Sequence, residues 1–310
     1  MNEKKSSTTD VYAMVNNRIT KQIEKGIVPW QQPWGDAGLP KNLITGRPYR
    51  GINVWLLNPL GYEQNYFLTS HQIKEIGATI KEGEKGNMTV FWKWLEVKDE
   101  GTDQIANVPF LRYNSVYNIA QCDGIPETQI PMIDLQNNPL KACEDIIMHM
   151  QNLPKIKHKE NKSYYNPLLD FVNIPKEESF DSKESYFSKL FVELVHSTGH
   201  QSRVNRKEVM QQKAFGAEPY STEEFMAEIG ACYLKSFAGF GKEHFSTNEA
   251  DMKGWLEKIK NDRRFIVYAS TLAQKATDYI LNISYQSNET PTQSESKLEE
   301  IPHGSDDLPF

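Results

Sequence analysis

Glu193, His196 and His200 fall within the stretch Phe191 to His200, FVELVHSTGH. Steps of three and four residues put all three on one side of a helix and its exit. Glu193 and His196 take the second and fifth positions of an HExxH pattern, in which two His one turn apart hold zinc and the Glu between them polarises a metal-bound water. The first position is Val192, whose side chain has no donor atom. His200 makes an HxxxH pair with His196 instead. Further oxygen donors come from Glu224 and Glu228, one helical turn apart in Ser221 to Leu234, STEEFMAEIGACYL. A Glu and two His along a helix are also what a solvated stripe or a satisfied polar network presents. The second acidic helix is what favours a metal centre.

Two helices must position these groups. From Tyr186, the residues Phe187, Leu190, Phe191, Leu194 and Val195 recur at three- and four-residue steps, the repeat of a helix with one buried face, and Gly199 ends it. Lys189 joins Glu193, His196 and His200 on the polar side. Phe225, Met226, Ile229 and Leu234 give the second helix its apolar face, so its carboxylates can point toward the first.

FVELVHSTGHQSRVNR followed by YSTEEFMAEIGACYL resembles the zincin-like metallopeptidase domain of ArdC-type antirestriction proteins, carried by plasmids, conjugative elements and phages. That family usually reads HELxHxTGH, then SRLxR, then EELxAEI. The sequence keeps Glu193, His196, Gly199, His200, Arg203, Arg206, Glu223, Glu224 and Glu228, and departs at Val192. The resemblance, with its likeness to gluzincins, implies Glu224 as third metal ligand and Glu228 as the acid that orients a ligand His from behind. If a metal binds, the set is His196 and Glu224, with His200 as substitute ligand and Glu193 as general base. The cofactor is then zinc or manganese, or none if Val192 has undone the site.

A chain of 310 residues has room for two domains of ordinary size, and 38% hydrophobic residues suit a soluble globular protein. There is no apolar run of membrane-spanning length and no secretory leader, so the expected location is cytoplasmic, with no membrane partner. Cys122, Cys143 and Cys232 are far apart and form no CxxC, and read as reduced packing thiols. The net charge of -6 argues against nucleic acid, but its distribution does not: through Ala120 there are 14 Lys and Arg against 12 acids. That surplus permits a nucleic-acid partner in the first half.

Asp10 caps a helix running through Val11, Val15, Ile19 and Ile23 to Gly26. The proline-rich segment after it carries Trp30, Trp34, Tyr49 and Trp55 among Lys41, Arg47 and Arg50, the ingredients of a stacking platform with a phosphate-tracking groove. Packing of Trp30 and Trp34 on the first helix is the alternative. The family resemblance, which extends to this half, implies single-stranded DNA as partner, with Arg47, Tyr49, Arg50, Trp30, Trp34 and Lys41 as contacts and Trp55 in the core. Ser70 is expected to cap a short helix, and Met88 to Val97 with Val108 to Ile119 to form a hairpin bearing Phe91, Trp92, Trp94 and Arg112. Which of its faces meets solvent is not visible from sequence.

The expected architecture is α+β in two domains: disordered residues 1–8, a single-stranded-DNA-binding domain 9–125, a linker 126–139, a zincin-like metallopeptidase domain 140–284 and a disordered acidic tail 285–310. Leu168 to Val172 is expected to be a strand edge that lines a substrate groove. The tail ends in Asp306, Asp307, Leu308, Pro309 and Phe310, which resembles the tip of bacterial single-stranded-DNA-binding protein and would recruit replication or repair proteins. Three functions compete: a DNA-binding antirestriction or conjugation accessory protein, a metallopeptidase directed to DNA-bound proteins, and a non-catalytic scaffold.

Overall fold

The computed structural model describes residues 10–34, 38–98, 105–126, 130–131, 138–206, 222–245 and 249–284. The tail from 285, with Asp306 to Phe310, residues 1–8 and most of the expected linker lie outside them.

The first half opens with α1 (Val11–Glu24), capped by Asp10, whose side chain accepts from the Ala13 N–H. A short helix, α2 (Ile52–Leu57), follows the proline-rich segment. α3 (Ser70–Glu75) is capped by Thr69 rather than Ser70, because Thr69 and Gln72 close a reciprocal capping box. The sheet has the order β1 (Lys41–Asn42), β2 (Tyr66–Thr69), β5 (Ile105–Asn118), β4 (Asn87–Lys98). β3 (Thr79–Ile80) and β6 (Cys122–Asp123) pair separately. The hairpin of β4 and β5 is therefore long, and β4 is an edge.

In the second half, α4 (Pro139–His149) precedes a three-stranded sheet ordered β7 (Lys155–Lys157), β9 (Phe171–Asn173), β8 (Tyr164–Asn166). β9 is the central strand, so the expectation that Leu168 to Val172 forms a free edge is corrected. Leu168 and Leu169 sit on the β8–β9 turn and are exposed, while Phe171 and Val172 are buried. α5 (Lys183–Ser197), capped by Ser182, and α6 (Thr222–Ala238) carry the candidate chemistry. α7 (Glu249–Asn261) and α8 (Phe265–Ile280) complete the half.

The two halves share one core. Buried residues of α1 and α2, with Trp30 and Trp34, cluster with α5, α6 and α8. Gly51 N–H donates to Gln274 Oε1 at 3.0 Å, the Tyr233 hydroxyl donates to the Gly51 carbonyl at 2.8 Å, and Arg50 pairs with Asp278. α5 and α6 approach closely at Gly230, where a Cβ would stand 2.9 Å from both Val195 γ-carbons. Close approach is what places the acids of one helix against the His of the other.

Candidate functional site

His196 is buried on α5 between two carboxylates of α6. Its Nδ1 lies 3.2 Å from Glu223 Oε1, and its Nε2 lies 3.5 Å from Glu224 Oε2. Glu223 in turn takes a two-pronged bond from Arg206, with Nη2 at 2.8 Å from Oε1 and Nε at 3.1 Å from Oε2. The same guanidinium donates to Thr198 Oγ1 at 2.6 Å and to the Val195 carbonyl at 3.1 Å, so Arg206 satisfies the C-terminal end of α5 as well. Burial works against charge on His196, but hydrogen bonds to Glu223 and Glu224 and the nearby Glu193 outweigh it and raise its pKa to about 9. Burial likewise works against charge on Glu223, and the bonds from His196 and Arg206 hold its pKa below the usual range.

Glu193 is buried one turn back on α5, with Lys189 Nζ at 3.6 Å. Burial pushes its carboxyl above the usual range, against the pull of His196 and Lys189. Val192 and Glu228 line a neighbouring cleft of about 300 Å³ with Ser188, Lys189, Lys235 and His244.

The acid against His196 Nδ1 is Glu223, while Glu228, expected to orient a ligand His, lines the cleft beside Val192. The signal in the sequence was the doublet Glu223–Glu224 and the basic run before it, which could not say which acid reached which position. His200 is turned elsewhere. Its Nδ1 lies 2.8 Å from Ser202 Oγ, beside a pair in which Arg203 grips Asp170 at 2.8 and 2.9 Å.

The expected DNA contacts divide. Trp30 is fully buried edge-on to Phe225 with ring centroids 5.0 Å apart, and Trp34 is buried against Tyr233 at 5.9 Å. Neither ring offers a face to a base, so their assignment as stacking residues is corrected; they cement the N-terminal half to α6. Trp55 packs on Tyr233 as expected of a core residue. Arg50 is engaged with Asp278 across the two halves. Lys41 is half-buried on β1, Tyr49 is half-buried edge-on to Phe67, and Arg47 is exposed.

Residues 9–117 match the N-terminal domain of anti-restriction factor ArdC, and residues 142–272 match a zincin-like metallopeptidase family. The metal-free crystal structure of antirestriction protein ArdC from plasmid R388 aligns with a TM-score of 0.71 and 33% identity, covering 88% of this chain and 97% of that one. The chain belongs to the ArdC antirestriction family. The Mn(II)-bound structure of the R388 protein aligns equally well, at a TM-score of 0.70 and 32% identity over 89% and 100% of the two chains. Two DNA primases TraC of Escherichia coli are each 28% identical over 87% of this chain. The chain spans only 20% and 27% of their lengths. Uncharacterized protein y4eC of Sinorhizobium fredii is 27% identical over 88% of this chain and 92% of its own length.

The zincin-like fold of this ArdC relative implies zinc, but the described residues do not make up a complete zinc site. A catalytic zinc site takes three protein donors, each in its deprotonated form. Here Val192 gives none, His200 Nδ1 turns to Ser202, and the two nitrogens of His196 face Glu223 and Glu224. Among the described residues no group of three or more His, Cys, Asp or Glu is placed to hold a metal ion. No described helix is long and apolar enough to cross a membrane.

Proposed function

We propose that this chain is a single-stranded-DNA-binding antirestriction or conjugation accessory protein of a mobile element, whose zincin-like half does not carry out metal-assisted proteolysis. The observation that carries the reading is the basic turn between Lys41 and Arg47. Asn42 Oδ1 accepts from the N–H groups of Ile44 at 3.2 Å and Thr45 at 3.0 Å, and its Nδ2 donates to Gln72 Oε1 at 2.8 Å. Gly46 supplies the left-handed conformation, φ +66°, that the return of the chain requires. The turn is thus held by side-chain bonds and pinned to α3, with Lys41 entering it and Arg47 leaving it exposed. A preorganised turn with cations on both sides suits a phosphate backbone, and Tyr49 follows directly.

In this reading the protein covers the entering strand. The tail residues Asp306, Asp307, Leu308, Pro309 and Phe310 would recruit a replication or repair protein, Phe310 entering an apolar pocket and the acids steering the encounter. Fluorescence anisotropy of a labelled single strand, titrated at several salt concentrations, tests the reading. Binding that weakens steeply with salt, with Arg47→Ala lowering the salt slope by about one, is expected. Absence of binding at low salt, or equal affinity for a duplex, would overturn it.

A further inference from the structure

The aromatic residues of the proline-rich segment are buried, yet the molecule does present an exposed aromatic surface elsewhere. On the edge strand β4, Trp92 is 43% exposed, although its cross-strand neighbour Leu111 is buried. The ring of Tyr12, on α1, stands edge-on to Trp92 with centroids 6.3 Å apart. The guanidinium carbon of Arg264, at the N-terminus of α8, lies 5.5 Å from the centroid of the Tyr12 ring. The three groups form a continuous surface ladder of guanidinium, phenol and indole, and Arg263 beside it pairs with Asp10.

We propose that this ladder is a second contact surface for single-stranded nucleic acid, with a base stacking on Trp92 and the strand's phosphates meeting Arg264. The proposal rests on the single-stranded-DNA reading given above. Covering the exposed face of this indole would remove apolar surface from water, which is favourable, and a base offers a π-face of matching size. The planar guanidinium of Arg264 can keep its face on Tyr12 while its edge N–H groups point outward to phosphate oxygens. Trp92 and Tyr12 belong to the first half and Arg264 to the zincin-like half. The second half therefore contributes to strand binding through its surface, which gives it a use that needs no metal.

The test uses the full-length protein with an oligothymidine carrying a single 5-iodouracil, and three variants. Ultraviolet crosslinking of the wild type is expected to give an adduct on the peptide containing Trp92. By anisotropy, Trp92→Ala is expected to weaken binding about tenfold, Trp92→Phe to retain most of it and Arg264→Gln to weaken it and lower the salt slope. Thermal melting checks that each variant folds, and Arg264→Gln, at an exposed position, carries the test if Trp92→Ala does not. Unchanged affinity in Trp92→Ala and Arg264→Gln, with the wild type still binding and losing affinity in Arg47→Ala, would overturn this surface and leave the DNA reading standing. It would assign the ladder to a protein contact instead. No binding by the wild type would overturn the DNA reading and this surface with it.

Discussion

The two sides of α5 that face α6 differ by one residue and end in opposite states. At His196 every polar atom is met: Glu223 holds one ring nitrogen, Glu224 faces the other, and Arg206 closes the back. At Val192 the facing acid, Glu228, opens onto a polar cleft of about 300 Å³. The comparison teaches that a buried His flanked by two acids and an Arg forms an ion-pair network that satisfies itself, while the position one turn back on the same helix leaves an opening.

The largest effect should come from breaking the closed side. Glu223→Ala leaves both Arg206 and His196 buried without their shared partner, and unfolding by denaturant should show a loss of about 3–5 kcal/mol. Next comes crowding the helix contact on which both sides depend: Gly230→Ala drives a methyl into Val195 and should cost about 1–3 kcal/mol by the same measurement. The ion pair also sets a pH dependence. The His196 pKa is raised on folding, so its stabilisation is fully present below its ordinary value near 6.5 and is lost as pH rises through about 9. Melting temperature should therefore fall from pH 7 to 10, and the part due to this pair should vanish in His196→Gln. The smallest effect belongs to the open side, where Glu228→Gln should change stability by no more than about 0.5 kcal/mol. A large loss there would mean that Glu228 has a partner as binding as that of Glu223, and the contrast between the two sides would fail.

Much of this arrangement could be read from the sequence, since α5 and α6 announce themselves by apolar spacing and the family pattern places the acids nearby. The division of labour between Glu223 and Glu224 could not, because adjacent acids on a helix differ in direction by an angle that only the neighbouring helix resolves. The fate of the tryptophans was also hidden. Trp30 and Trp34 stand among prolines and cations like a stacking platform, but their partners Phe225 and Tyr233 come from the far half of the chain. Trp92 carried no clearer local signal, and only the position of β4 at the sheet edge with α1 beside it left the ring exposed. The cap of α3 was displaced by one residue because Ser70 is the better cap in isolation, and the reciprocal bonds between Thr69 and Gln72 override that preference.

The most direct measurement is metal content by elemental analysis of the purified protein, after gel filtration in zinc and then in manganese, beside Val192→His. The natural chain should retain far less than one metal ion, and Val192→His, which restores an imidazole one turn before His196, should retain about one. One tightly held metal ion per natural chain would contradict the loss of the site at Val192 and return the zincin-like half to the metallopeptidases.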